Sequence, residues 1–397
     1  ADKIANIFVP IVIVISIMTF IVWYFVVGDI LNAILASISV LIISCPCALG
    51  LATPIAIVSA VGKGAQEGIL IKNPEILEII KDIQYAVFDK TGTLTTGIIS
   101  VKNALYEEKH LDILSSLETK SEHPISKAVV NYAKEKNLSC SIELENIEII
   151  LGQGISAMYK DQKVLIGSLS FLEEHAVVFK EKYLSIYDKS LVDGNGVILA
   201  SIDKSCVAIF VLEDSIKEGA KELIYNIKEK NIIPILLTGD NQTTANYVAK
   251  KLGIEKVFAE VVPSEKYKLI KGLQKDGKVM FVGDGVNDSP SIKQSDIGIA
   301  LNSGSDISKD AGDIILINND LNAIAKSINL SMESMKIVKQ NLFWAFIYNA
   351  AGIPLAAGVF FPLFGLMLTP MYAGIAMSFS SVTVVLNSLR LKFIKLV

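Results

Sequence analysis

The sequence predicts membrane α-helical spans at both ends of the chain. Between them it predicts a cytoplasmic α/β segment, a doubly wound parallel sheet carrying an inserted α+β domain. Three observations lead there. Hydrophobic residues make up 51% of the 397 residues, and mean hydropathy is +0.49, with the apolar residues gathered into terminal blocks. The middle alternates strand-like and helix-like stretches, the grammar of a parallel sheet. Within it, the buried-strand run Tyr85-Ala86-Val87-Phe88 leads into Asp89-Lys90-Thr91-Gly92-Thr93. That order puts a carboxylate at a strand's carboxyl end, where open α/β sheets place their chemistry.

The terminal blocks cover residues 7–27, 31–43 (continuing through Cys45-Pro46-Cys47 towards residue 61), 342–364 and 367–389, and none contains Asp, Glu, Lys or Arg. Each is long enough to span a bilayer, so four spans are expected. The first block is too long for a cleaved signal peptide. Lys3, Lys63, Lys336, Lys339, Arg390, Lys392 and Lys395 flank the spans on one side, whereas the links 28–30 and 358–370 carry no Lys or Arg. By the positive-inside rule both ends and the middle segment face the cytoplasm of a multi-pass protein. A net charge of −4 gives no basic surface for nucleic acid. The four cysteines, Cys45, Cys47, Cys140 and Cys206, give no disulfide framework, with two in a span and two in a cytoplasmic segment.

The expected division is two transmembrane helices in 1–63, a first part of the sheet domain in 64–97, the inserted domain in 98–206, the rest of the sheet domain in 207–336, and two further transmembrane helices in 337–397. In the second part, residues 207–212, 232–237 and 279–282 read as strands, and 216–230 and 243–252 as helices. The sheet domain then carries motifs at its strand ends. Asp89 can attack phosphorus and become an aspartyl-phosphate. Thr238-Gly239-Asp240 offers a hydroxyl and backbone donors to phosphate oxygens. Lys266, after Pro263-Ser264-Glu265, supplies positive charge. Gly283-Asp284-Gly285-Val286-Asn287-Asp288 offers two carboxylates suited to Mg²⁺, which prefers oxygen ligands.

Taken together, Asp89 to Thr93 followed by Leu94-Thr95, then Thr238-Gly239-Asp240, Lys266, and Gly283 to Asp288, resemble the P-type cation-transporting ATPases. The phosphorylation domain of that family belongs to the haloacid dehalogenase superfamily. The resemblance implies that Asp89 is phosphorylated, that Lys90, Thr91, Thr238, Gly239, Asp240 and Lys266 surround the reaction, and that Asp284 and Asp288 hold Mg²⁺. Related phosphatases have a second Asp where Thr91 stands. Thr91 cannot perform that proton transfer, so the acyl-phosphate should persist, as a pump needs.

The inserted segment resembles the nucleotide-binding domain of the heavy-metal subclass through Glu118, Ser121-Glu122-His123-Pro124 and Gly152-Gln153-Gly154. This implies ATP around Glu118, His123, Gly152 and Gly154, where glycines allow close backbone approach. His-Pro also reads as a plain helix start, with Pro124 in the first turn. One departure is Ser168 after Gly167, where the subclass often has Asn.

Residues two apart on a regular helix point about 200° away from each other, so Cys45 and Cys47 could not share a ligand unless Pro46 opened the helix. Thiolates favour Cu(I) and also bind Zn²⁺. Tyr348 and Asn349 in the third span, and the i, i+4 pair Met377 and Ser381 in the fourth, resemble the copper(I) group. The zinc and cadmium group instead carries a Lys and an Asp in those spans. Met377 also reads as packing filler, and Asn349 and Ser381 as polar links between helices.

The resemblance therefore implies ATP-driven export of Cu(I) across the plasma membrane, with a copper donor such as a chaperone as partner. A zinc or cadmium exporter, or an inactive metal-binding remnant, stands as the alternative. No Thr-Gly-Glu actuator loop occurs. The chain reads as the carboxyl-terminal part of such a pump, needing an amino-terminal half for full turnover.

Overall fold

The computed structural model of the chain describes residues 2–150, 152–284, 288–302 and 306–396. They form two compact units, one made of Ala1–Asp82, Asp313–Ile317 and Ala323–Val397, the other of Ile83–Gly312 and Asn318–Asn322.

In the second unit, parallel strands run side by side in the order Ile297–Leu301, Lys278–Gly283, Ile83–Asp89, Ile233–Leu237 and Lys256–Phe258. Helices Gln242–Leu252, Pro263–Leu273 and Ser289–Gln294 follow the strands they serve. Ala86, Val87 and Phe88 are all buried, without alternation, as expected of a parallel strand covered on both faces. The Ile83–Asp89 strand is central, with a later strand on each side. It therefore sits at the switch point of the sheet, outside whose carboxyl ends a crevice opens.

The inserted domain is a six-stranded antiparallel sheet among the described residues, ordered Thr95–Tyr106, Ser205–Ile216, Gly196–Ile202, Gln162–Gly167, Gly154–Tyr159, Glu145–Ile150. Helices Glu108–Glu118 and Pro124–Glu135 build a core on it with Val207, Ala208, Phe210 and Leu212. Leu172 and Tyr183, from helices Leu169–Glu174 and Glu181–Val192, build another with Cys206 and Ile209. This corrects the reading of residues 207–212, which belong to this sheet and not to the doubly wound one. The expected boundary after residue 206 thus falls inside a strand. Helices on both faces give an antiparallel strand the unbroken apolar run that normally marks a parallel one. The expected helix at 216–230 likewise begins later, as Ala220–Glu229.

In the first unit, Asp2–Val22 is helical and continues through a wider turn, Trp23–Val27, to Gly28. Asp29 then caps the Ile30–Ile43 helix by accepting from the Leu31 and Asn32 amides. The chain breaks at residues 44–46 and resumes as Cys47–Gln66, so Pro46 does open the helix. Among the described residues, three stretches are long and apolar enough to cross a membrane, Ile7–Val26, Ile30–Gln66 and Pro370–Phe393. The expected third span, 342–364, is not among them, a correction to the four spans expected, because the helix ends inside that block. Helix Asn322–Ala356 ends where Gly358 turns left-handed (φ 78°). There Val359 N–H donates to Pro354 and Gly358 N–H to Leu355, a double closure that stops a helix. Trp23 seals the end by donating from Nε1 to the Ala357 carbonyl at 3.0 Å, and a Cβ on Gly358 would strike its ring.

Candidate functional site

The ladder of the central sheet places Asp89 opposite Leu237 and Phe88 opposite Val282. The strand ends at Asp89, Thr238 and Asp284 therefore converge at one level. Carboxylate oxygens of Asp89, Asp284 and Asp288 all lie within 4.8 Å of one another. Lys266, from the first turns of helix Pro263–Leu273, reaches Asp89 Oδ1 at 2.5 Å and Asp288 Oδ1 at 2.8 Å. Asp89 and Asp288 are buried. Burial, then the neighbouring Asp288 charge, pushes the Asp89 carboxyl up to about 7 against the pull of Lys266. Asp284 is raised by burial and by Asp288. Burial lowers the Lys266 ammonium, but the Asp89 and Asp288 carboxylates outweigh it and its net shift is upward. Three acids facing one lysine form an oxygen-rich, electron-rich pocket whose donor set fits Mg²⁺.

Gly92 lets the chain turn past this cluster. Its φ is 75°, and a Cβ there would run into the Asp284 carboxylate. Thr93 is fully buried and its hydroxyl has no partner among the described residues, which leaves a donor free for a phosphate oxygen. Thr238 is buried and its Oγ1 accepts from Asp240 N–H at 3.1 Å. Lys90 does not join the Asp89 cluster; its ammonium pairs with Asp240, and with Asp214 at 3.8 Å. Thr91 and Gly239 are exposed at the mouth. Residues 285–287 of the second acidic motif lie outside the described residues.

Two residues the sequence reading passed over complete the frame. Asp214 accepts from Thr95 Oγ1 at 2.6 Å and from Gly97 N–H at 2.9 Å, and Lys217 donates to the Gly92 carbonyl. Burial holds the Lys217 ammonium below its ordinary range, although Asp284 and Asp214 pull it upward. Glu213-Asp214 closing an apolar run is the only local mark of Asp214, and it does not reveal the distant partners of either residue.

The expected nucleotide residues also come together. Glu118, His123, Gly152 and Gly154 line one cavity of 410 Å³ in the inserted domain, floored by Ile155, Ile166 and Ile198. His123 is a helix cap as well, its Nδ1 accepting from Ile125 N–H at 3.3 Å ahead of Pro124. Gly154 pairs with Gly167 across the sheet, and a Cβ on either would meet the Phe171 ring at 2.7 Å. Ser168 caps the next helix through Phe171 N–H. Glu118 is buried, and burial pushes its carboxyl up to about 7 against a hydrogen bond from Ser126.

In the helical unit, Cys45 and Cys47 project to one place across the Pro46 break, where their sulfurs are joined as a disulfide. Only the reduced pair would offer thiolates. One packed layer joins Ile43, Ala356 and Ala373, and a second joins Ala48, Ala345 and Val384. Cys45 and Cys47, Tyr348 and Asn349, and Met377 and Ser381 each fall between those layers in sequence. All but the exposed Cys47 are half-buried.

A buried aspartate at the end of the central strand, a lysine bridging it to a second acid, and a third acid at the neighbouring strand end define a phosphoryl-transfer or hydrolytic site. The chain belongs to the haloacid dehalogenase-like hydrolase family, which matches residues 83–296. Along its whole length it is related to metal-transporting P-type ATPases. It is 42% identical over 407 residues to the copper-exporting P-type ATPase of Legionella pneumophila, covering 100% of this chain and 54% of that protein. It is also 42% identical to a probable copper-transporting ATPase of Synechocystis, covering 98% and 54%. The crystal structure of a zinc-transporting PIB-type ATPase in its E2.Pi state superposes with a TM-score of 0.86 at 27% identity, covering 98% of this chain and 63% of that one. The chain spans about half the length of the curated relatives it matches.

Proposed function

We propose that this chain carries the phosphorylation, nucleotide-binding and ion-binding parts of a Cu(I)-exporting P-type ATPase of the plasma membrane. The observation that carries the reading is the Asp89–Lys266–Asp288–Asp284 cluster at the switch point of the sheet. ATP would bind in the Glu118–His123–Gly152–Gly154 cavity. An ionised Asp89 oxygen would attack the γ-phosphorus, the bond to the ADP oxygen would break, and ADP would leave. Mg²⁺, held by Asp89, Asp284 and Asp288, would draw Asp89 into its ionised form and shield the phosphoryl charge. Lys266 holds Asp89 in place and offsets charge as it develops. Thr93 and Thr238 stand at the site as hydroxyl donors, and Thr91 provides no base to speed hydrolysis.

Copper(I) as cargo is supported by the donor set of Cys45, Cys47, Tyr348, Asn349, Met377 and Ser381, which mixes thiolates and a thioether. The relatives named for copper are also closer in sequence than the zinc-transporting structure. The likeness of fold to that structure favours Zn²⁺ as the second reading. The test is metal-dependent phosphorylation of the reconstituted, reduced chain supplied with the remainder of the pump. Phosphorylation that follows Cu(I) and disappears in Cys45→Ser and Cys47→Ser supports the copper reading. A response to Zn²⁺ alone would replace it.

A further inference from the structure

Helix Asn322–Ala356 presents two unlike stripes. Ser334, Val338, Asn341 and Ala345 are buried. The opposite stripe, spaced three and four residues apart, passes from Met332 through Lys336 and Lys339 to Phe343, Phe346 and Ile347. Phe343 is 57% exposed and Phe346 51%. At Phe343 the stripe changes from basic to apolar, where the helix enters its charge-free block. A groove of 470 Å³ opens at this junction, lined by Met332, Met335, Lys336, Lys339, Phe343 and, from the turn after helix Ile76–Ile79, Lys81.

We propose that this groove binds the headgroup of an anionic phospholipid, its phosphate between Lys81, Lys336 and Lys339 and an acyl chain along Phe343, Phe346 and Ile347. The charge balance favours an anion. Lys81 has Asp82 at 2.8 Å and Lys336 has Glu333 at 3.6 Å, while no ion pair engages Lys339 among the described residues, so the groove keeps positive charge. An exposed methionine and phenylalanine beside the ammonium groups match the boundary between headgroup and acyl chain, where a lysine stem lies against apolar surface and its head in the polar layer. The groove is continuous with the outward apolar face, so its occupant is a lipid already in the leaflet. The inference is independent of the transported ion and of ATP hydrolysis.

The full chain placed in nanodiscs provides the test, because one tryptophan reports on this face. Trp344 is 44% exposed and packs beside Phe343, whereas Trp23 is 4% exposed and gives a constant background. Tryptophan quenching by brominated phosphatidylglycerol diluted in phosphatidylcholine is compared with the reverse labelling. The anionic lipid is expected near Trp344 at about fivefold its mole fraction at low salt, the enrichment that ~1 kcal/mol of lysine–headgroup attraction produces. Lys81→Gln/Lys336→Gln/Lys339→Gln should return quenching to the mole fraction, with quenching by brominated phosphatidylcholine unchanged to show intact insertion. Quenching of the wild-type chain that follows mole fraction, or enrichment that survives the triple substitution, overturns the proposal.

Discussion

The carboxylate cluster of the sheet and the candidate ion site of the helices are built by different means. At the cluster, strands in fixed register set the backbone of Asp89 and Asp284, and Lys266 is clamped between two acids. Among the helices, packed layers lie on either side in sequence of Cys45, Cys47, Tyr348, Asn349, Met377 and Ser381. A ladder of backbone hydrogen bonds fixes position residue by residue, whereas helix packing fixes a height and leaves orientation to side chains. The first site is therefore preorganised, and the second can change its shape.

The most damaging change to the preorganised site should be Lys266→Ala. It leaves buried acids without their cation and should cost about 3–5 kcal/mol of stability, as read by chemical unfolding in detergent without divalent ions. Added Mg²⁺ should recover much of that loss, and a variant as stable as wild type without Mg²⁺ would break the contrast. Next comes the inserted domain, where Gly154→Ala drives a methyl into Phe171 and should cost ~1–3 kcal/mol together with binding of a fluorescent ATP analogue. Gly152→Ala faces open space and bears only the left-handed backbone (φ 77°), about 1–2 kcal/mol.

Between the helices, buried Asn341 donates to the Ala52 carbonyl at 3.0 Å and to Ser388 Oγ at 2.8 Å, and accepts from Asn387 at 2.9 Å. Asn341→Leu should loosen that layer by about 1–3 kcal/mol. It should lower the thermal midpoint while leaving ATP-analogue binding intact, as expected if the helical site depends on packing.

A further effect concerns protons. Glu118 is neutral in the fold up to about 7 but ionises near 4.3 in an unfolded chain. Its raised value means that the folded form holds more protons between those limits. Its contribution is thus fully present below pH 4.3 and lost as pH rises through about 7. Glu118→Gln should remove this pH dependence, matching wild type at pH 4 and melting higher at pH 8. Equal melting curves at both values would place Glu118 outside the buried cavity.

Much of the cluster was legible because Asp89 and Asp284 each follow an apolar strand beside a glycine, Gly92 in the turn and Gly283 at the strand's last position. The cavity of the inserted domain was legible through its glycines, Gly152 by a left-handed turn and Gly154 by a place where a side chain would strike Phe171. Asp214 and Lys217 were not, because their partners lie more than 100 residues away and only the return of strand Ser205–Ile216 to the Asp89 loop joins them. Residues 207–212 were assigned to the wrong sheet because burial on both faces erases the alternation that marks an antiparallel strand. The end of helix Asn322–Ala356 was hidden because its stop signal, Gly358, lies within an apolar run that is otherwise uniform.

The most direct test is whether ATP labels Asp89. The reduced chain, reconstituted in membrane with the amino-terminal half of a full-length copper-exporting relative, would be incubated with γ-labelled ATP and Mg²⁺ and then quenched in acid. The account predicts a label that is released by hydroxylamine, as an acyl-phosphate is, and that is absent in Asp89→Asn. A label of that kind persisting in Asp89→Asn would contradict the assignment of the nucleophile and the mechanism built upon it.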